Sequence, residues 1–171
     1  MNKEKTNRVL EYFNELFPDA YCELNHETDF QLLVAVMLSA QTTDKKVNQL
    51  TESLFKKYPD VYTMANANLS VLQEDIKTIG LYRNKAKNLL AMAKTLIEKF
   101  DGKVPSDQKQ LESLPGVGRK TANVVRSVAF DIPAFAVDTH VERISKRLGF
   151  AKKDDSVLTV EKKLCRSIPR N

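Results

Sequence analysis

Residues 114–125 read LPGVGRKTANVV, and that stretch pulls in two directions. Pro115 fixes one φ, while Gly116 and Gly118 permit positive φ and a close approach of backbone to ligand. A tight turn therefore runs straight into an amphipathic helix, whose first turn carries Arg119 and Lys120. A helix N-terminus bears partial positive charge, so each cation there is disfavoured by a few tenths to ~1 kcal/mol. Acidic residues would be the structural choice. Outward-pointing N–H groups at such a start hold phosphate, and the two bases would add to that attraction. A plain interhelical turn with two surface bases fits the spacing equally well.

Outward from this turn, helical periodicity runs along nearly the whole chain, and no stretch alternates with period two. Val9, Leu10, Phe13, Leu16 and Phe17 form one stripe, stopped by Pro18. Thr28-x-x-Gln31 is a capping box opening FQLLVAVMLSA, apolar nearly all round and so the buried centre of a bundle. Val47, Leu50, Leu54, Phe55 and Tyr58 mark a third helix, and Asn68 caps a fourth that stops at Gly80. A long helix runs from about Arg83 to Phe100, ended by Asp101-Gly102. Ser106 caps a short helix before the turn, Thr139-x-x-Glu142 caps one after it, and a last helix near 156–168 ends at Pro169. The fold class is all-α. There is also a faint echo, with Gly80-Leu81-Tyr82-Arg83-Asn84-Lys85-Ala86 standing 36 residues before Gly116-Val117-Gly118-Arg119-Lys120-Thr121-Ala122. Two copies are too few for a repeat architecture.

The 171 residues suffice for one large domain or two intertwined ones. The longest apolar run, Leu32–Leu38, is far too short to span a bilayer, and the N-terminus has no signal or transit pattern. The expected address is cytoplasmic, at the nucleoid in a bacterium, with no membrane partner. Cys22 and Cys165 lie far apart and cannot by themselves hold zinc or an iron–sulphur cluster. The net charge of +5 is unevenly spread: residues 76–126 hold 11 Lys/Arg against 4 Asp/Glu, and 139–171 hold 9 against 4. Two basic blocks thus flank Asp131 and Asp138, an arrangement that suits a polyanion such as nucleic acid. A solvated lysine-rich face is the equal alternative from charge alone.

LPGVGRKTANVV followed by AVDTHVERISKRLG (136–149) resembles the helix–hairpin–helix and following segment of the endonuclease III family, bifunctional DNA glycosylases with AP-lyase activity. LSAQTTDKKVN (38–48) and IKTIGLYRNKAKNL (76–89) match the same family in order and spacing, so the resemblance covers essentially the whole chain. It implies excision of oxidised pyrimidines from double-stranded DNA and cleavage of the abasic site by β-elimination. Lys120 matches the family's nucleophile, whose amine attacks C1′ and forms a Schiff base. A lysine must first lose its proton against a free pKa of about 10.4, and a helix N-terminus beside another cation disfavours an ammonium ion. The awkward placement of Lys120 is therefore what such chemistry needs. Asp138 matches the catalytic aspartate, which assists the lysine and stabilises positive charge on the sugar; read without the resemblance, it is a helix cap.

The remaining positions transfer residue by residue. Gln41 and Leu81 match residues that fill the gap left when the damaged nucleotide is flipped out. Gly116, Val117, Gly118, Arg119 and Thr121 belong to the phosphate-holding hairpin, His140 to a structural or phosphate-side role, and Ser39 and Asp44 to the neighbourhood of the pocket. Related adenine and thymine-mismatch glycosylases usually lack a lysine at the position of Lys120, so Gly-Arg-Lys-Thr-Ala favours the lyase branch. The resemblance implies a six-helix domain over 21–132, with its helix–hairpin–helix at about 108–130. A second, discontinuous domain comprises 1–20 with 133–171. Family members continue past Pro169 into a further helix and a four-cysteine [4Fe–4S] loop. This chain stops at Asn171, so it is expected to hold no metal unless such a segment follows. The second domain is then incomplete, with Val9, Phe13, Val160 and Leu164 exposed, and the chain is expected to be marginally stable, monomeric and weak on DNA. The competing reading is a truncated or non-catalytic helix–hairpin–helix module that binds DNA with little activity.

Overall fold

A computed structural model describes residues 3–169; the outermost residues of the expected second domain, 1–2 and 170–171, lie outside the described residues. The described chain is helical throughout: α1 (Lys3–Leu16), α2 (Asp29–Leu38), α3 (Asp44–Lys57), α4 (Val61–Ala65), α5 (Leu69–Asp75), α6 (Tyr82–Phe100), α7 (Gln108–Glu112), α8 (Arg119–Ala129), α9 (Thr139–Leu148) and α10 (Val157–Ser167). It divides into two compact units, Glu23–Asp131 and Met1–Cys22 with Ile132–Asn171.

In the contiguous unit, α2 is the hub. Thr28 caps it by accepting the amide of Gln31, whose own side chain takes the amide of Glu27 at 2.9 Å. Every residue from Phe30 to Leu38 is buried, because α3, α6 and α8 all pack against this helix. At roughly 1.5–3 kcal/mol for each large apolar side chain taken out of water, this segment contributes more hydrophobic stabilisation than any other helix of the unit. Leu89, Met92, Ala93 and Leu96 form the inner face of α6, against which α4 and α5 lie. α4 has no counterpart in the periodicity read above. Its start is written instead in Asp60 and Thr63, which cap each other reciprocally.

Three helix ends fall one or more residues from their sequence-based positions. Asp107, not Ser106, caps α7, and Asp138, not Thr139, caps α9. α5 stops at Asp75 rather than running on to Gly80. In the first two cases neighbouring residues are both competent caps, and the carboxylate takes two amides at once.

The discontinuous unit has its own small core of Val137, Phe150, Ala151, Val160 and Leu164, packed by Val9, Phe135, Val141, Leu148 and Ile168. Gly149 caps α9 with φ +85 and turns Phe150 inward, where its amide meets the Ser145 carbonyl at 2.9 Å. Val160 and Leu164 are therefore buried, contrary to expectation, because one face of α10 meets Phe150 and Val137. Val9 is half-buried. Exposed apolar side chains gather on α1 and just past it, at Tyr12, Phe13, Leu16 and Phe17, with others at Ile144, Val157 and Leu158.

Candidate nucleic-acid interface and active site

The hairpin is built from α7, the turn Leu114–Gly118 and α8. Leu114 and Val117 are buried and anchor the turn, with the Val117 amide on the Leu114 carbonyl at 3.1 Å. At its open end Arg126 spans back to α7, its Nε on the Ser106 carbonyl and an Nη on Gln108 Oε1, both at 3.2 Å. α8 itself is braced against α2 through a face that buries Ala122, Asn123 and Val125. The first turn of α8 thus projects from a rigid support.

The two glycines do different work. Gly116 has φ +77, and a Cβ there would stand 2.8 Å from Cβ of Asn88 on α6. It is the residue that lets the turn settle onto α6. Gly118 has φ −95 and open space where a Cβ would go. As the N-cap of α8 it offers no side-chain oxygen to the first-turn amides, and its bare backbone is what an approaching phosphate would meet. Gly116→Ala is accordingly expected to cost about 1–3 kcal/mol of stability, and Gly118→Ala less than about 1 kcal/mol. Urea unfolding of both variants beside the wild type measures this, and equal losses would contradict the assignment.

Arg119 and Lys120 are the first two residues of α8, and both side chains are exposed. Arg119 lies 3.6 Å from Glu112 across the hairpin, an exposed pair of the kind worth ~0–1 kcal/mol and so readily exchanged for a phosphate. Thr121 is half-buried behind them. In the discontinuous unit, Asp138 accepts the amides of His140 and Val141 on one carboxylate oxygen, at 3.0 and 2.9 Å. The His140 ring is exposed, its Nδ1 3.2 Å from an Arg143 Nη.

Gln41 and Leu81 share an unusual geometry. Both are exposed, and both hold left-handed backbone, at φ 55 and φ 58. Such a conformation costs an ordinary residue on the order of 1–3 kcal/mol and is common where function demands it. Leu81 precedes α6 directly, with its side chain 57% exposed, while Gln41 sits in the α2–α3 connection. Ser39 closes α2, its hydroxyl donating to the Val36 carbonyl at 2.9 Å. Asp44 opens α3, where a carboxylate offsets the helix dipole.

One residue beyond those read from sequence ties these parts together. Lys85 of α6 is buried, and its Nζ donates to the carbonyls of Leu38 (2.9 Å) and Ala40 (2.7 Å) and to Thr42 Oγ1 (3.1 Å). Burial pushes its ammonium below the ordinary lysine range. The signal for it was present: Lys85 falls in register with Leu89, Met92 and Leu96, a charge written into the buried face of α6.

No helix among the described residues is long and apolar enough to cross a membrane. Nor does any group of three or more His, Cys, Asp or Glu among them suit a metal ion. A [4Fe–4S] cluster takes four thiolates, and the free, half-buried Cys22 and Cys165 do not fit one.

Residues 34–170 match the family model described as HhH-GPD superfamily base excision DNA repair protein. Endonuclease III of Bacillus subtilis is 54% identical over 170 residues, covering 99% of this chain and 78% of that relative. Endonuclease III of Escherichia coli K12 is 44% identical, covering 99% and 80%. Among solved structures, a trapped endonuclease III–DNA covalent intermediate is similar with a TM-score of 0.94 at 54% identity, covering 99% of this chain and 80% of that one. A thermostable thymine-DNA glycosylase shares the fold at 23% identity, with a TM-score of 0.81 over 96% of this chain and 82% of that one.

Proposed function

The chain belongs to the HhH-GPD superfamily of base excision DNA repair proteins and within it to the endonuclease III family, and from that premise we propose that it excises oxidised pyrimidines from duplex DNA and cleaves the resulting abasic site. The observation that carries this reading is Lys120, an exposed amine at the second residue of α8, directly after the hairpin. Backbone amides at the start of α8, with Arg119, hold a phosphate. The Lys120 amine, once deprotonated, attacks C1′, and the glycosidic C–N bond breaks as the base leaves with a proton. Opening of the sugar ring yields a protonated Schiff base. Its electron demand acidifies C2′, so loss of a C2′ proton expels the 3′ phosphate by β-elimination, and water then releases the amine. Asp138 contributes a carboxylate that assists deprotonation and stabilises positive charge on the sugar.

Extrusion of the damaged nucleotide leaves a gap in the base stack. Gln41 and Leu81, exposed and held in left-handed backbone, supply side chains to fill it. Borohydride reduction of a mixture of this chain with a duplex carrying one abasic site is expected to yield a covalent adduct. Binding without any adduct would turn the assignment to a non-catalytic DNA-binding module.

A further inference from the structure

We propose that Lys85 is a positioning residue that sets Gln41 and Leu81 in one register, so that two separate loops act on the DNA as a single wedge; this rests on the function proposed above. Its side chain brackets Gln41, holding the Ala40 carbonyl on one side at 2.7 Å and Thr42 Oγ1 on the other at 3.1 Å. Its backbone holds Leu81: the Lys85 amide donates to the Leu81 carbonyl at 3.0 Å. One residue thus grips both strained positions, one through its side chain and one through its main chain.

The chemistry of the grip favours precision over affinity. Three acceptors take up the three N–H bonds of the ammonium, and two of them, the carbonyls of Leu38 and Ala40, lie at and just beyond the C-terminal end of α2, where partial negative charge gathers. A buried cation fixed by three directional bonds has little room to move, whereas a surface ion pair would let the loop drift. The Thr42 amide adds a bond to the Ser39 carbonyl at 3.0 Å, closing the turn that carries Gln41. The left-handed conformation of Gln41 therefore persists because its neighbours on both sides are over-determined.

A wedge is needed only where an opposing strand keeps the stack in place. The test compares single-turnover cleavage of an abasic site in a duplex and in a single strand, per mole of folded protein. Lys85→Met is expected to lose about 10–100-fold on the duplex and to cleave the single strand at the wild-type rate. Lys85→Arg, which keeps charge and donors, recovers part of the duplex rate. Combined with Gln41→Ala, Lys85→Met is expected to add little further loss, because both act on the same side chain. Equal losses on both substrates, or full additivity with Gln41→Ala, would overturn the proposal. Should Lys85→Met fail to fold, Thr42→Val removes one of the three bonds; a duplex-selective loss supports the role, and an unchanged duplex-to-single-strand ratio overturns it. A wild-type chain that cleaves neither substrate sinks the parent function and this role with it. A wild type that cleaves both, with a Lys85 variant impaired equally on each, sinks this role alone.

Discussion

Lys120→Ala abolishes the borohydride-trapped adduct and lowers abasic-site cleavage on the order of 10⁴-fold or more, the scale on which removing a nucleophile acts. The substitution is otherwise mild. Lys120 is exposed at the start of α8, and alanine is a good helix former, so stability should move by no more than about 0.5 kcal/mol. A companion variant separates charge from chemistry. Lys120→Arg keeps the cation that attracts phosphate, but a guanidinium does not deprotonate in proteins and forms no Schiff base. It should therefore bind abasic duplex nearly as the wild type does while giving no adduct. An adduct of normal yield from Lys120→Ala would assign the chemistry to another amine and defeat the reading.

The second large effect concerns Asp138, which has a structural task in plain view. One of its oxygens caps α9 by taking two amides. Asparagine caps a helix about as well as aspartate, so Asp138→Asn should keep α9 and shift stability by only a few tenths of a kcal/mol. Loss of the negative charge should nonetheless lower base excision by about 10²–10⁴-fold, the range for a group that moves or balances a proton at the reacting centre. Asp138→Ala removes cap and charge together, adding a stability loss of about 0.5–2 kcal/mol. Excision rates and thermal unfolding measured on the same three proteins decide the matter. If the asparagine variant works normally and only the alanine variant suffers, Asp138 is a cap and nothing more.

Much of this was legible in the residues themselves, for local reasons. Thr28 and Asn68 announce their helices because a short oxygen-bearing side chain has few other uses before an apolar run. The Asp101-Gly102 stop of α6 was equally plain. α4 escaped notice because five residues cannot display a 3.6-residue period. At Asp138-Thr139 and Ser106-Asp107 adjacent residues could each cap, and only the folded chain decides which oxygen reaches the amides. Val160 and Leu164 are buried by partners distant in sequence, Phe150 among them, which the periodicity of α10 alone does not reveal. Nothing in Ala40-Gln41-Thr42 announces left-handed backbone. The flanking Ala40 is held from 45 residues away by Lys85, whose charge hides its place in a buried stripe.

The split connectivity of the smaller unit has a consequence for how the molecule is made. Its core draws Val9 from the first helix and Val137 through Ile168 from the last part of the chain, with the whole of residues 23–131 inserted between. Synthesis runs from the N-terminus, so the inserted unit has all its residues, and can complete its own core around α2, before α1 meets any of its partners. The first helix must then wait, its apolar residues in water, until α10 has been added. Closing a ring through an unfolded stretch of that length carries an entropic cost that grows with the logarithm of its length. Vectorial synthesis thereby places the hairpin and Lys85 in the part of the molecule that matures first.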